Sequence, residues 1–162
     1  MEVELKGLIL QLTPERVCRL KDLKIKSGEK VLISGPSGCG KTTLLHALGQ
    51  LRAISAGEIS YDGHVKVHAD SSFRRQKLGF IFQRLSLIDH LTAEENILLD
   101  QVDAVDAKIF VQLKLNDVQH EVVAKLSVGE QQRIAVARAL HKQPVLLLAD
   151  TEFGNDFMLH II

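Results

Sequence analysis

The sequence predicts an α/β fold built on a mostly parallel sheet, with an antiparallel β portion at the N-terminus. Three short apolar runs carry that expectation: "VLISG" (31–35), "LGFIFQ" (78–83) and "VLLLA" (145–149). Short continuous apolar runs of this kind suit strands covered on both faces. Segments of helical spacing stand between them, so strands and helices alternate along the chain.

Taken in order, "VELKGLILQL" (3–12) mixes alternation with an apolar run, and "LKDLKIKSGEK" (20–30) alternates before a Ser-Gly turn. Both predict strands. In "KTTLLHALGQL" (41–51), Leu44, Leu45, Leu48 and Leu51 share one helical face. "GEISYDGHVKV" (57–67) holds a Tyr-Asp-Gly turn between alternating segments, a hairpin pattern. "LTAEENILL" (91–99) offers Thr92 as an N-cap with Glu95 three residues on, the spacing of a capping box. "AKIFVQLKL" (107–115) predicts another helix. "SVGEQQRIAVARALHK" (127–142) predicts a capped helix with Ile134, Ala137 and Leu140 on one side, broken by Pro144. Residues 84–125 thus form a small helical insert. The domain expectation is a single unit over 1–162, its core made of 1–83 and 126–162.

A chain of 162 residues suits one domain with a real core. Twenty basic and twenty acidic residues balance, which argues against an extended nucleic-acid footprint. No apolar stretch approaches the ~20 residues of a membrane span, and "MEVELKG" lacks a signal peptide's apolar run. Two cysteines, Cys18 and Cys39, make no disulfide framework, which favours a reduced, cytoplasmic compartment. The histidines show no metal-ligand pattern: His64 and His68 share a strand face, but no cysteine or paired carboxylate completes a set. The basic cluster "FRRQK" (73–77) reads as a solvated turn.

The most specific segment is "GPSGCGKTT" (35–43), two glycines five apart followed by lysine and threonine, with a strand before and a helix after. Glycines let backbone N–H groups curl around a β-phosphate, and the helix N-terminus adds its positive end. Gly35, Pro36, Ser37, Gly38, Cys39, Gly40, Lys41, Thr42 and Thr43 are the candidate phosphate-binding residues. Lys41 is placed to reach the β/γ-phosphates, and Thr42 to offer a hydroxyl to Mg²⁺. Asp150, ending the strand "VLLLAD", is the expected magnesium partner. Cys39 reads first as a small residue tolerated in the loop; as the alternative, a thiol beside a lysine and a helix N-terminus favours thiolate, and alkylation there would block nucleotide.

Three further segments make the chain resemble the ATP-binding subunit of an ABC transporter. "GFIFQ" sets Gln83 at a strand end, like that family's Q-loop; "LSVGEQQRIAVARAL" (126–140) resembles its signature motif; "LLLADTEFGN" resembles its Walker B strand. "GPSGCGKTTLLHALGQL" and "LTAEENI" are nearest in tone to the bacterial lipoprotein-releasing and macrolide-export type. The resemblance implies a P-loop NTPase that binds ATP and Mg²⁺. It implies a homodimer or a pairing with another ATP-binding subunit, with two ATPs held head to tail. Ser127 and Gly129 would then face the γ-phosphate held by the partner subunit, and Gln83 would reach the magnesium and the attacking water. Separate membrane-spanning permease subunits would dock on the insert 84–125. Nucleic acid is not an expected partner, and the expected location is the cytoplasmic, inner face of the cell membrane.

Five departures qualify that resemblance. Thr151 stands where the family sets the glutamate that polarises water, and the candidate base, Glu152, is one position late. On an extended path, consecutive side chains point to opposite sides. Val128 replaces the first glycine of the signature, a poor choice where positive φ or close approach is needed. No aromatic residue precedes Tyr61, although the family stacks adenine on an aromatic near the stretch "QLTPERVCRL"; weaker affinity or less preference for adenine follows. The sequence resembles a cassette truncated after Walker B, without the segments for the D-loop and switch histidine; "FMLHII" is expected to lie over an exposed apolar edge. Fifth, the insert is short. The leading reading is an ATP-hydrolysing transporter subunit with impaired hydrolysis. The alternative is a non-hydrolysing nucleotide-binding module, regulatory or degenerate. A soluble ABC-type ATPase acting on nucleic acid is the third.

Overall fold

The computed structural model describes residues 1–65, 70–99, 105–153 and 156–161, with side chains as far as Asp150. His68 lies outside the described residues. Two sheets form. In the first, β1 (Val3–Thr13) pairs antiparallel with β2 (Arg16–Arg19), β3 (Leu23–Ile25) and β5 (Ala56–Tyr61), and β6 (His64–Val65) pairs with β5. The turn between β5 and β6 is Asp62-Gly63, both at positive φ, as a tight hairpin requires. Gly57 (φ +86°) is forced to be glycine, since a Cβ there would sit 2.4 Å from the Gly7 carbonyl oxygen.

The second sheet holds β4 (Lys30–Ser34), β7 (Leu78–Ile81), β8 (Leu146–Phe153) and β9 (Asp156–Ile161), in the order β4-β9-β8-β7. β7 and β8 are parallel, and β9 runs antiparallel to both β8 and β4. The three strands predicted from apolar runs therefore share one direction, with β9 reversed between two of them. This corrects the expectation for the tail: its backbone lies inside the sheet rather than over an edge. Two neighbouring strands with unpaired N–H and C=O groups are both satisfied by one strand between them.

The helices are α1 (Lys41–Leu48), α2 (Ser71–Lys77), α3 (Ala93–Leu98), α4 (Ala107–Gln112) and α5 (Val128–His141). Two expectations fail here. "FRRQK" belongs to α2, because the Asp70 carboxylate caps the amides of Ser72 and Phe73 (3.0 Å each) and starts a helix where charge alone read as a turn. Leu51 lies beyond α1 and is about half exposed, since the helix ends at Gly49 and Gln50 takes a left-handed φ of 54°. Both capping boxes form. Thr92 and Glu95 exchange hydrogen bonds at α3, and Ser127 and Glu130 do so at α5.

Buried apolar residues fall into two main clusters. The larger includes Leu5, Leu10, Leu45, Leu48, Ile59, Tyr61 and Leu148, between the first sheet, α1 and the second sheet. The Tyr61 hydroxyl donates to the Leu48 carbonyl, and burial pushes its pKa well above the ordinary tyrosine range. The second cluster gathers Ala93, Ile97, Phe110, Leu115, Val123, Ile134 and Ala137. It unites α3, α4 and the turns 116–118 and 123–125 with α5.

Asn96 pins that helical region. It is fully buried; its Oδ1 accepts from Ile88 N–H (2.7 Å), and its Nδ2 donates to the carbonyls of Ile88 and Thr92 (3.0 Å each). Asn96→Ala leaves those backbone groups without their partner and should cost about 2–3 kcal/mol. A drop in the urea midpoint of the purified protein checks this, and an unchanged midpoint would refute it.

Candidate functional site

The segment 35–43 connects β4 to α1 by a loop whose backbone only glycine tolerates at three positions. Gly35, Gly38 and Gly40 have φ of 155°, 73° and 108°. Gly40 is the N-cap of α1, and it brings no side chain to the amides of the first turn. The other α-helices, α2 to α5, all carry a side-chain cap from Asp70, Thr92, Asp106 or Ser127. The helix facing the glycine loop alone among them presents its first-turn amides uncapped, and no acidic residue occupies that turn. An anion is what such an end accepts.

Lys41 occupies the first position of α1 and is buried, with 8% of its surface exposed. Its ammonium donates to the carbonyls of Gly35 (2.6 Å) and Pro36 (3.1 Å). The cation is therefore held against the loop itself, at the mouth of the amide cradle. Cys39 closes the loop from inside: a Cβ on Gly35 would touch its sulfur at 3.0 Å. Cys39 is partly buried and reduced, as is Cys18.

Thr42 and Thr43 follow on α1, both half-buried; Gln83 is exposed just past the end of β7; Asp150 is buried at 2% exposure on β8. Because β4, β7 and β8 point the same way, the loop after β4, Gln83 after β7 and Asp150 toward the end of β8 come to the same edge of the sheet. Hydroxyl, amide and carboxylate oxygens are the hard donors that Mg²⁺ takes, usually alongside substrate phosphates rather than in an all-protein cage. Among the described residues no group of three His, Cys, Asp or Glu could hold a metal ion. The donor set fits a phosphate-bound magnesium.

Ser127 and Gly129 stand apart from this edge, at the start of α5 within the helical cluster. The Ser127 hydroxyl donates to Glu130 Oε2 (2.6 Å) and accepts from the Glu130 N–H (3.3 Å), so its proton is committed to the cap. Val128 is the first residue of α5 and takes no positive φ. The backbone objection to valine falls away, and what remains is an exposed apolar side chain at 68%. A Cβ on Gly129 would meet only Arg133 Nη1 at 3.5 Å, an ordinary contact. The side chains of Thr151 and Glu152 lie outside the described ones; along the backbone, pairing of β8 with β9 is irregular between Ala149 and Phe153.

Sequence reasoning missed two features. The β1–β2 hairpin packs on the phosphate loop: a Cβ on Gly40 would meet Leu12 Cδ2 at 2.8 Å and Cys18 Cβ at 3.6 Å. Arg16 Nη2 reaches the Gly38 carbonyl (3.4 Å). No local spacing signals a contact across more than twenty residues. Arg138 on α5 donates to the carbonyls of Leu85 (2.6 Å) and Ser86 (2.7 Å), gripping the segment just after Gln83; burial lowers its pKa from the usual arginine value. Arg138 also lines, with Phe80, Phe82, Arg74 and Lys142, a cavity of about 350 Å³. The size suits a small ligand, and no residue of the 35–43 loop borders it.

A family model described as "ABC transporter" matches residues 19–153. The chain belongs to the ABC transporter family. It is 35% identical over 161 residues to the glutamine transport ATP-binding protein GlnQ of Escherichia coli, covering 91% of this chain and 67% of that one. It is 37% identical over 166 residues to the lipoprotein-releasing system ATP-binding protein LolD of Bacteroides thetaiotaomicron, covering 94% and 76%. A solved dimeric ATP-binding cassette, in a post-hydrolysis state bound to ADP and Pi, superposes with a TM-score of 0.73 at 32% identity, covering 94% of this chain and 75% of that one. The fold is that of a P-loop cassette, and the chain spans about two thirds of the length of the glutamine-transport relative.

The α5 cap gives a pH prediction. Hydrogen bonds from the Ser127 hydroxyl and then its backbone N–H hold the Glu130 carboxyl below its ordinary value of 4.5. A depressed carboxylate contributes stability that is fully present above the unfolded value and is lost as pH falls through the folded one. Acid unfolding below about pH 4.5 should therefore be less steep in Glu130→Gln than in the parent, followed by circular dichroism. Identical acid transitions would contradict it.

Proposed function

We propose that this chain is the nucleotide-binding subunit of an ABC-type membrane transporter, taking up Mg·ATP at Gly35–Thr43 and coupling its binding and slow hydrolysis to export or lipoprotein release. The observation that carries the reading is the glycine loop with a buried lysine at the one uncapped α-helix start among those described. In this reading the amides of Gly38–Thr43 hold the β-phosphate, and Lys41 exchanges loop carbonyls for phosphate oxygens. Thr42, Gln83 and Asp150 would hold magnesium, which neutralises phosphate charge when bound. Ser127 and Gly129 would serve the γ-phosphate of a second subunit, as homodimer or paired partner. Residues 1–83 and 126–162 form the ATP-binding core, and 84–125 the helical part on which a permease docks. The protein then works at the cytoplasmic face of a membrane; among the described residues no helix is long and apolar enough to cross one.

Thr151 favours a second reading, a module that binds without cutting. A threonine hydroxyl has no useful basicity at neutral pH, and losing a general base costs about 10²–10⁴ in rate. The relatives do not narrow the cargo: proteins named for glutamine transport, lipoprotein release and sulfate/thiosulfate import match at 34–37% identity.

Saturating Mg·ATP should raise the melting temperature of the protein, because a ligand of the native state stabilises it, and Lys41→Ala should lose the rise. No shift in the parent would remove the proposal. Steady-state hydrolysis, corrected by Lys41→Ala, separates the two readings: a rate above that control keeps the enzyme, and a rate equal to it leaves the binding module. Thr151→Glu alone should fall short of family-like turnover; full turnover in that variant would assign the whole defect to one residue.

A further inference from the structure

We propose that Arg138 is a positioning residue, whose guanidinium fork sets the place of Gln83 at the magnesium edge of the site. The inference rests on reading Gly35–Thr43 as the nucleotide cradle, with Thr42, Gln83 and Asp150 on its metal. It adds what holds the exposed member of that set in place.

Of the three, Thr42 is carried by α1 and Asp150 by β8, whereas Gln83 lies outside regular structure. Its backbone is anchored on two sides. On the first, β7 ends its ladder at Ile81, which pairs with Ala149, the neighbour of Asp150. Phe82 then stacks on Phe80, with ring centroids 4.2 Å apart. On the second, Arg138 donates from Nη2 to the Leu85 carbonyl (2.6 Å) and from Nη1 to the Ser86 carbonyl (2.7 Å). Residues 82–84 alone span the two anchors. Farther along, among the described residues, the next hydrogen bonds tying this backbone to another element are those of Asn96 to Ile88. Losing the fork moves the second anchor from Leu85 to Ile88, and a longer span leaves more conformations open to Gln83.

An apolar side chain would join the two surfaces at lower cost. Arg138 stands between Ala137 and Ala139, both buried, and none of the ion pairs among the described residues involves it. Burial lowers its pKa, and no counter-charge opposes that shift. A cation taken from water without a carboxylate is costly. What it contributes here is geometry: the planar guanidinium fixes two successive carbonyls at once, where an ammonium would supply charge and no fork. Ser86 takes a left-handed φ of 50°, and its hydroxyl donates back to the Arg84 carbonyl (3.0 Å). The fork therefore holds a bend beside Gln83 that the chain would not keep by itself.

The test is calorimetric titration with Mg·ATP and with ATP in EDTA, the ratio of affinities giving the preference for the magnesium complex. It compares the parent, Arg138→Ala, Arg138→Lys, Gln83→Ala and the double variant Arg138→Ala/Gln83→Ala. Arg138→Ala should bind ATP in EDTA as the parent does, which shows it folded, and lose about tenfold of the magnesium preference. Arg138→Lys keeps the charge and drops the fork, so it should lose as much; it carries the test alone if Arg138→Ala fails to fold. The double variant should lose no more than Gln83→Ala, because Arg138 acts through that side chain. An unchanged preference in either folded Arg138 variant, as a purely structural residue would give, overturns the inference while the cradle stands. Losses that add in the double variant, or a parent without magnesium preference, overturn it too. A parent that binds ATP in neither form removes the reading of the cradle itself.

Discussion

A buried ammonium governs this molecule. Lys41 is taken out of water and set among backbone carbonyls of its own loop. Desolvating a lysine is costly unless strong acceptors surround it. The loop meets that demand only because Gly38 and Gly40 accept left-handed backbone conformations, which turn the carbonyls of Gly35 and Pro36 toward the amine while the amides from Gly40 onward stay at the helix mouth. The two halves of the loop thus present opposite polarity. Carbonyls grip the cation, and amides await an anion. A phosphate entering the mouth would gain the amides and the lysine together, so the nine residues that lock the loop are also the ones proposed to bind.

The helical part is attached to this centre through α5. Ile134 and Ala137 belong to the cluster with α3 and α4, while Ala139, two residues on, packs with Ile81 and Ala149 of the sheet. One helix is therefore built into both bodies. Arg138 lies at the changeover and clamps the carbonyls of Leu85 and Ser86, two and three positions past Gln83. Ser86 is held at φ 50°, a costly conformation for a serine that its partners must overcome. The segment just past Gln83 is thereby tied to α5 by a charged hydrogen-bond fork.

The parts legible in the sequence were those written in local code. Spacing announced the phosphate loop, Thr92–Glu95 and Ser127–Glu130 announced two helix starts, and apolar runs announced β4, β7 and β8, because each depends on residues within one or two turns of one another. The α2 helix was missed because its cap, Asp70, matters more than the arginines that follow it. Leu51 was misplaced because periodicity continues through Gly49 and Gln50 while the backbone does not. The hairpin contact of Leu12, Arg16 and Cys18 with the loop is tertiary and leaves no trace in spacing. At the candidate site, the places of Lys41 and Thr42 at the start of α1 and of Asp150 on β8 follow from local pattern, but the commitment of the Ser127 hydroxyl to Glu130 does not, since a capping serine and a phosphate-binding serine carry the same letter.

The width of the sheet finally fixes the scale of the chemistry. β4 and β8 are separated by β9 alone, so their axes stand two interstrand spacings apart, about 10 Å. The glycine loop rises from one of these strands, and Asp150 lies on the other. The backbone of β9 follows from the same geometry. It pairs along Lys30–Ser34 on one side and along Leu146–Ala149 on the other, so it holds the loop strand and the aspartate strand two spacings apart. A strand that was expected to cover an edge instead lies between the strand that leads into the glycine loop and the strand that carries Asp150.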